Sequence, residues 1–244
     1  MLVSNMSVGT RSEAGIKAMF GRLADSYDRF NSWSTGGLVH RWRRTTAELA
    51  APQPAGRVLD LTCGTGELSF CLVPRAKLVV GLDFSGAMLS RAVSKARQRG
   101  LVQRVHLVLG NARSLPFPTG SFDGITEGFG VRNLVDLPRC ISEMVRVLRI
   151  GGRLAFVEIG RANTGWLRHM YRFYFNRLVP GVGLLASGGQ ASAFRYLRQS
   201  AADFLAPEET VLLLKQAGLA QVSYRGRYAG LIGFYHGTKM EGAS

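Results

Sequence analysis

A chain of 244 residues, 46% hydrophobic and 19% charged, is long enough to bury a full core as one large domain, or as one domain with a terminal elaboration. No run approaches the roughly 18 apolar residues that span a bilayer, and the polar opening Met1 to Glu13 lacks the apolar stretch of a signal peptide, so a soluble cytoplasmic protein is expected. Cys63, Cys71 and Cys140 form no CxxC pair and have no histidine at ligand spacing, which excludes a disulfide framework and leaves no metal site, while 31 Lys+Arg against 16 Asp+Glu give a formal charge of +15. That balance implies an acidic partner, nucleic acid or an anionic membrane surface, unless it serves solubility alone, since the basic residues are spread rather than clustered.

Residues 13–50 read as two amphipathic helices broken at Ser34-Thr35-Gly36-Gly37. From Arg57 onward short β-rich runs alternate with helical patterns, the signature of βα units and a parallel sheet. The runs are RVLDLTC (57–63), KLVVGLDF (77–84), VHLVLGN (105–111), FDGITEGF (122–129), RLAFVEI (153–159) and two late ones near 221–228 and 231–237. Helices are expected from Gly66 to Val73, from Gly86 to Arg99 with Ser85 as N-cap, from Leu137 to Arg149 ended by Gly151-Gly152, and from Glu208 to Ala217 ended by Gly218. Residues 163–205 read as further helices interrupted at Pro180-Gly181 and Ser187-Gly188-Gly189. A Gly230-centred turn is too short for a parallel crossover, so the last two strands should run antiparallel.

The sum is an α/β fold, a seven-stranded Rossmann-like sheet of the class I methyltransferase type, mostly parallel with an antiparallel last strand. Residues 1–50 are expected to form an N-terminal helical lid, and 51–244 the cofactor-binding domain with a helical insertion at about 163–205. Both lid segments should overlie the carboxyl ends of the strands, where open α/β sheets bind ligands.

In Asp60-Leu61-Thr62-Cys63-Gly64-Thr65-Gly66 a hydrophobic strand ends in a tight turn whose glycines let a ligand meet the backbone before a helix begins. A dinucleotide fingerprint would place a third glycine at Ser69, so a nucleoside without phosphates fits better. Asp83 ends the second strand, where its carboxylate is placed to accept both ribose hydroxyls, with helix capping as the lesser role because Ser85 is better placed for it. Asn111-Ala112 after the third strand stands where an amide meets an adenine edge, although Asn111 also suits a turn, and Leu115-Pro116-Phe117-Pro118 offers an apolar wall.

Over almost its whole length the sequence resembles the ubiquinone/menaquinone biosynthesis C-methyltransferases. The resemblance is carried by Met19-Phe20 with Ala24, Tyr27-Asp28 and Asn31; Trp42-Arg43-Arg44; VLDLTCGTGEL; Val80 to Ser85 with Met88-Leu89; and GNARSLPFP. It continues in Ser121-Phe122-Asp123, Phe129-Gly130-Val131-Arg132-Asn133, EMVRVLRIGGRL, Tyr171 and Tyr174 before Leu178-Val179-Pro180, and Tyr196-Leu197 with Ser200. It implies S-adenosylmethionine as cofactor, methylation of a ring carbon on a demethylated polyprenyl quinol, and binding positions at Thr65, Asp83, Asn111 and Ala112. A further family position, often serine, is Gly128.

Such a carbon becomes nucleophilic when an adjacent phenol is deprotonated, so the site must favour a phenolate and exclude water. A fixed cation would help, and Arg132 after the fourth strand is the candidate, with Asn133 orienting the hydroxyl or a water that takes its proton. The plainer role for Arg132 is a helix-start arginine paired with Asp136. Tyr27 and Asp28 are placed to close over the cofactor or the quinol head, or simply to pack. Tyr171, Tyr174 and Phe175 form a stripe suited to an isoprenoid tunnel or to the core, and His169 and His236 are further proton acceptors or ordinary surface histidines.

The sequence departs from the family where Ile150 replaces a proline, Glu158-Ile159-Gly160 a Glu-Phe-Ser pattern, and Tyr235-His236 a His-Arg pair. Glu127 stands where an apolar residue is common; a carboxylate there acts as a base, binds a polar substrate group, or is a solvated strand end. A polyprenyl acceptor would bring the protein to the inner face of the membrane, with Arg41, Arg43, Arg44, Arg168, Arg172 and Arg177 facing anionic lipid. Two alternatives stand beside this reading: a methyltransferase acting on a soluble aromatic molecule, and a non-catalytic nucleic-acid-binding protein, which the lack of aromatic-rich RNA motifs disfavours. A homo-oligomer is left open.

Overall fold

The computed structural model of the protein describes residues 12–160, 196, 199–201 and 203–241. Seven strands form one sheet in the order β3-β2-β1-β4-β5-β7-β6. They are β1 Ala55–Leu61, β2 Ala76–Asp83, β3 Val105–Leu109, β4 Phe122–Gly128, β5 Leu148–Ile159, β6 Leu219–Arg227 and β7 Ile232–Lys239. Neighbours from β3 to β5 pair in parallel, and β7 runs antiparallel to both β5 and β6. All seven expected strands are present, and the short turn after Arg227 reverses the chain through Tyr228, Ala229 and Gly230, all at positive φ.

β1, β2 and β4 are buried along most of their length because helices cover both faces of the sheet. On one face Leu59, Leu61, Leu82, Ile125 and Phe156 meet α6 (Leu137–Val147) and α7 (Pro207–Gln216) through Ile141, Met144, Val145 and Leu214. On the other, Val58 and Val79 meet α3 (Leu38–Ala50), α4 (Glu67–Leu72) and α5 (Gly86–Gln98) through Ala47, Leu68, Leu72 and Ala96. Ser85 caps α5, accepting a hydrogen bond from Met88 N at 3.5 Å, as its position implies.

Three local expectations are corrected. Residues 13–50 form three helices, α1 (Glu13–Leu23), α2 (Tyr27–Ser34) and α3, because the chain also turns at Ser26, whose N–H donates to Leu23 O at 3.0 Å. The third is a sheet helix and not a lid: Trp42 and Val39 pack on Val157 and Phe234, and the bare Gly124 lets the carbonyl end of α3 approach β4. Gly151-Gly152 does not end a helix. α6 stops at Val147, β5 begins at once, and the pair lies in a bulge where the β4–β5 register shifts. The helices expected over 163–205 lie almost entirely outside the described residues.

Candidate active site

A cleft opens at the carboxyl ends of β1, β2 and β4 and is roofed by α1 and α2. Of the residues expected at the cofactor, Gly64, Asp83, Asn111 and Ala112 line it. The chain leaves β1 through Thr62 at φ +50°, Gly64 at +55° and Gly66 at +85°. The two glycines serve different ends: nothing closer than 4.0 Å faces a Cβ at Gly64, so a ligand is free to meet that backbone, whereas a Cβ at Gly66 would lie 2.9 Å from the Phe70 ring. Gly66 therefore packs the turn against α4.

Asp83 is buried, and each carboxylate oxygen accepts one backbone N–H, from Gly64 and from Ser85, both at 2.8 Å. Burial raises its proton affinity and these two bonds oppose the rise. A carboxylate has about four acceptor positions, so both oxygens retain capacity toward the cleft. That is what two neighbouring ribose hydroxyls require.

Asn111 lines the cleft and serves as the turn residue expected of it. Its Oδ1 accepts from Arg113 N at 2.9 Å, closing a turn, while its Nδ2 faces Glu13 of α1, 3.2 Å from Oε1. Glu13 also receives Arg113 at 2.7 Å. The apolar walls are Phe84, Met88, Ala112, Leu134 and Val135. Leu115 to Pro118 is not among them, because Glu143 accepts Leu115 N and Arg146 donates to the carbonyls of Leu115 and Phe117, drawing that loop onto α6.

Two other expected cofactor residues support the turn from outside the cleft lining. Asp60 is fully buried and accepts from Ser69 Oγ at 2.5 Å and Thr126 Oγ1 at 3.0 Å. Thr65 donates from Oγ1 to Asp28 Oδ1 at 2.7 Å, and Lys95 pairs with Asp28 and with Glu67, the latter at 2.9 Å. Asp28 thus clamps α2 onto the glycine turn. Burial alone would raise the Glu67 carboxyl, but Lys95 and Arg99 outweigh it and hold it below its ordinary range.

The other half of the cleft is lined by Tyr27, Thr62, Phe129, Gly130 and Asn133. Asn133 Oδ1 accepts from Tyr196 Oη at 2.8 Å. Burial raises the Tyr27 phenol, with the charges of Arg43 and Arg132 opposing. Arg132 is corrected on its plainer reading, the pair with Asp136, while its charge does reach Tyr27. It neither lines the cleft nor pairs with Asp136, which instead caps α6 through Arg139 N. It is buried against Glu158, which receives its guanidinium and its backbone N–H, the latter at 3.1 Å, while Nε donates to Ser200 at 3.2 Å. Glu158, the residue of that segment which keeps the Glu-Phe-Ser pattern, therefore supplies a counter-ion.

Glu127 is not a solvated strand end, since none of it is exposed. His236 sits on β7 opposite Ala155, outside the cleft lining, and burial with the charges of Arg153 and Arg225 lowers its proton affinity. Arg43 is buried, which removes it from the surface cations. His169, Arg168, Arg172, Arg177, Tyr171, Tyr174 and Phe175 lie outside the described residues. Thr62, Glu13 and Lys95 were not singled out by the sequence; only the positive φ at Thr62 marks it, and that is invisible in one-dimensional pattern. Among the described residues no group of three metal-ligating side chains occurs, and no helix is long and apolar enough to cross a membrane.

Residues 8–239 match the ubiE/COQ5 methyltransferase family. A demethylmenaquinone methyltransferase from Roseiflexus sp. (strain RS-1) is 39% identical, with 92% of this chain and 93% of that protein covered. One from Thermus thermophilus is 41% identical, covering 83% and 91%. Among solved structures, a SAM-dependent methyltransferase from Aquifex aeolicus superposes with a TM-score of 0.59 at 15% identity, covering 86% of this chain and 96% of the other, which is a likeness of fold.

Proposed function

Since the chain belongs to the ubiE/COQ5 methyltransferase family, we propose that it methylates a ring carbon of a demethylated polyprenyl quinol of the demethylmenaquinol type, with S-adenosylmethionine as donor, in respiratory quinone biosynthesis. The observation that carries this reading is one cleft with two chemically distinct halves. Gly64, Asp83 and Asn111 suit a nucleoside, and Tyr27, Phe129 and Asn133 suit a flat ring bearing hydroxyls. The relatives in Roseiflexus and Thermus carry the name of that reaction.

When bound, S-adenosylmethionine supplies an electrophilic methyl on a sulfonium. The protein's own part is to hold and to exclude. Asp83 accepts the ribose hydroxyls, Gly64 admits close approach, Asn111 meets the adenine edge beside Ala112, and Asp60, Thr65 and Gly66 keep the turn in shape from behind. On the acceptor side Asn133 retains its amide donors for a substrate oxygen, and Tyr27 brings a hydroxyl from the roof. Arg132, neutralised by Glu158, is a positioning residue that fixes the turn carrying Asn133. A polyprenyl acceptor resides in a bilayer, so we also propose that the basic surface brings the protein to anionic lipid.

The test is purified protein with methyl-labelled S-adenosylmethionine, demethylated quinols and soluble phenols, with the label located by mass spectrometry. Label on a quinol ring carbon is expected. Label on soluble phenols alone overturns the acceptor, and label on neither overturns the transfer.

A further inference from the structure

Besides Asp83, three carboxylates are buried at the ends of adjacent strands, and in two of them both oxygens are hydrogen-bonded within the fold. Asp60 on β1 accepts from Ser69 and Thr126, one bond to each oxygen. Glu158 on β5 accepts from the guanidinium and backbone of Arg132 and from Ile159 N at 2.8 Å. Glu127 on β4 differs. Its Oε1 accepts from Thr62 Oγ1 at 2.6 Å, its Oε2 has no partner among the described residues, and no part of it is exposed. Leaving a buried carboxyl oxygen unmatched costs about 1–3 kcal/mol or more, so the fold alone does not account for it.

Its place is specific. Thr62 and Gly130 both line the acceptor half of the cleft, and a Cβ on Gly130 would collide with Glu127 Oε1 and Thr62 Oγ1. The carboxyl therefore lies directly behind the bare α-carbon of Gly130, with the Thr62 hydroxyl as its link to the cleft. Thr62 holds that hydroxyl in place at φ +50°, a conformation costing a β-branched residue on the order of 1–2 kcal/mol.

Resting on the reading above that the acceptor is a quinol, we infer that Glu127 is the base that ionises it, reached through the Thr62 hydroxyl. The O–H bond of the quinol breaks as its proton passes to Thr62 Oγ1, and the proton of Thr62 passes to Glu127 Oε1. The carboxylate becomes a carboxylic acid, Thr62 is unchanged, and the electron pair stays on the substrate oxygen, where it activates the ring carbon. An ordinary carboxylate, at about 4, is roughly six units too weak a base for a phenol at about 10. Burial first, and then the charge of Glu158, push Glu127 well above that range, with Asp60 adding to the rise and Thr62 and Arg132 opposing it. These are the groups that face it from β1, β5 and the turn after β4. A raised base acts only once ionised, so turnover should climb with pH above the ordinary carboxylate range.

Glu127→Gln keeps the shape and removes the base, Thr62→Val removes the relay, and Thr62→Ser restores it. With cofactor affinity checked to be intact, Glu127→Gln and Thr62→Val are expected to lower kcat by about 10²–10⁴-fold and to abolish the rising pH limb, while Thr62→Ser recovers both. A second readout needs no turnover: a naphthol bound with S-adenosylhomocysteine should show its phenolate absorption in the parent enzyme and lose it in Glu127→Gln. Glu127→Gln with the parent kcat and pH profile overturns the inference, as does naphtholate in both proteins. Parent enzyme that labels no quinol yet ionises naphthol only when Glu127 is present overturns the quinol reading and leaves the base standing.

Discussion

Asp60 and Asp83 are both buried beside the glycine turn, yet only Asp83 lines the cleft, and their partners differ accordingly. Asp83 is held by backbone N–H groups that leave its outer lone pairs to the cleft; Asp60 is enclosed by the hydroxyls of Ser69 and Thr126. Burial raises the Asp60 carboxyl to about 7, with Ser69, Thr126 and Arg43 opposing and Asp83 adding to the rise. In the unfolded chain an aspartate titrates at about 4. Because the folded state binds the proton more tightly, its contribution to stability is complete below about 4 and is lost as pH rises through about 7. The loss has a ceiling of about 1.4 kcal/mol per pH unit. Asp60→Asn cannot titrate, so urea melts across this window should show the variant gaining on the parent with rising pH and the gap levelling above it. Parallel curves would remove Asp60 as the source.

At the scale of elements, strands were easier to read than their connections. Runs such as VLDL and LVVGL are apolar because both faces of a parallel sheet are covered, and that signal is local. Gly151-Gly152 misled because a glycine pair after an amphipathic run resembles a helix stop, whereas here it bends β5. The break at Ala24-Asp25-Ser26 carries no glycine or proline and is set by the packing of Phe20 on Tyr27, with ring centroids 6.0 Å apart. The site divides the same way. Asp83 and Asn111 were legible because chain order fixes which strand end they occupy, but the Arg132–Glu158 pair joins two strand ends across the sheet and leaves no trace in local spacing. The lid clamp is equally non-local: Asp28 on α2 meets Thr65 after β1 and Lys95 on α5. Charge-assisted hydrogen bonds of this kind contribute about 1.5–3 kcal/mol. Removing them with Asp28→Ala should speed cofactor release about ten-fold or more in stopped-flow displacement and lower the melting temperature of the cofactor-free protein by about a few degrees, because the clamp is already formed there. Unchanged release would mean that α2 is held by packing alone.

For the molecule as a whole, a charge of +15 has to be reconciled with the lipid acceptor proposed above. The surface offers a place where the two meet. Trp33 and Leu38, 56% and 39% exposed, flank the turn between α2 and α3. Arg29 lies four residues before Trp33 and Arg41 three after Leu38, which puts each arginine on the same helix face as its apolar neighbour, and Arg44 continues that face of α3; all three are exposed. Aromatic and basic side chains in this arrangement suit the headgroup boundary, where each arginine near an anionic leaflet contributes about 1 kcal/mol. Arg41→Gln with Arg44→Gln should therefore weaken sedimentation with phosphatidylglycerol vesicles by about 30-fold. Trp33→Ser should weaken it independently of salt, because its contribution is burial of an apolar ring and not charge. Turnover on a short-chain quinol presented without vesicles should be unaffected by all three substitutions, since none of these residues lines the cleft. Equal binding to neutral and anionic vesicles would assign the net charge to solubility and leave the lipid to be met by another surface.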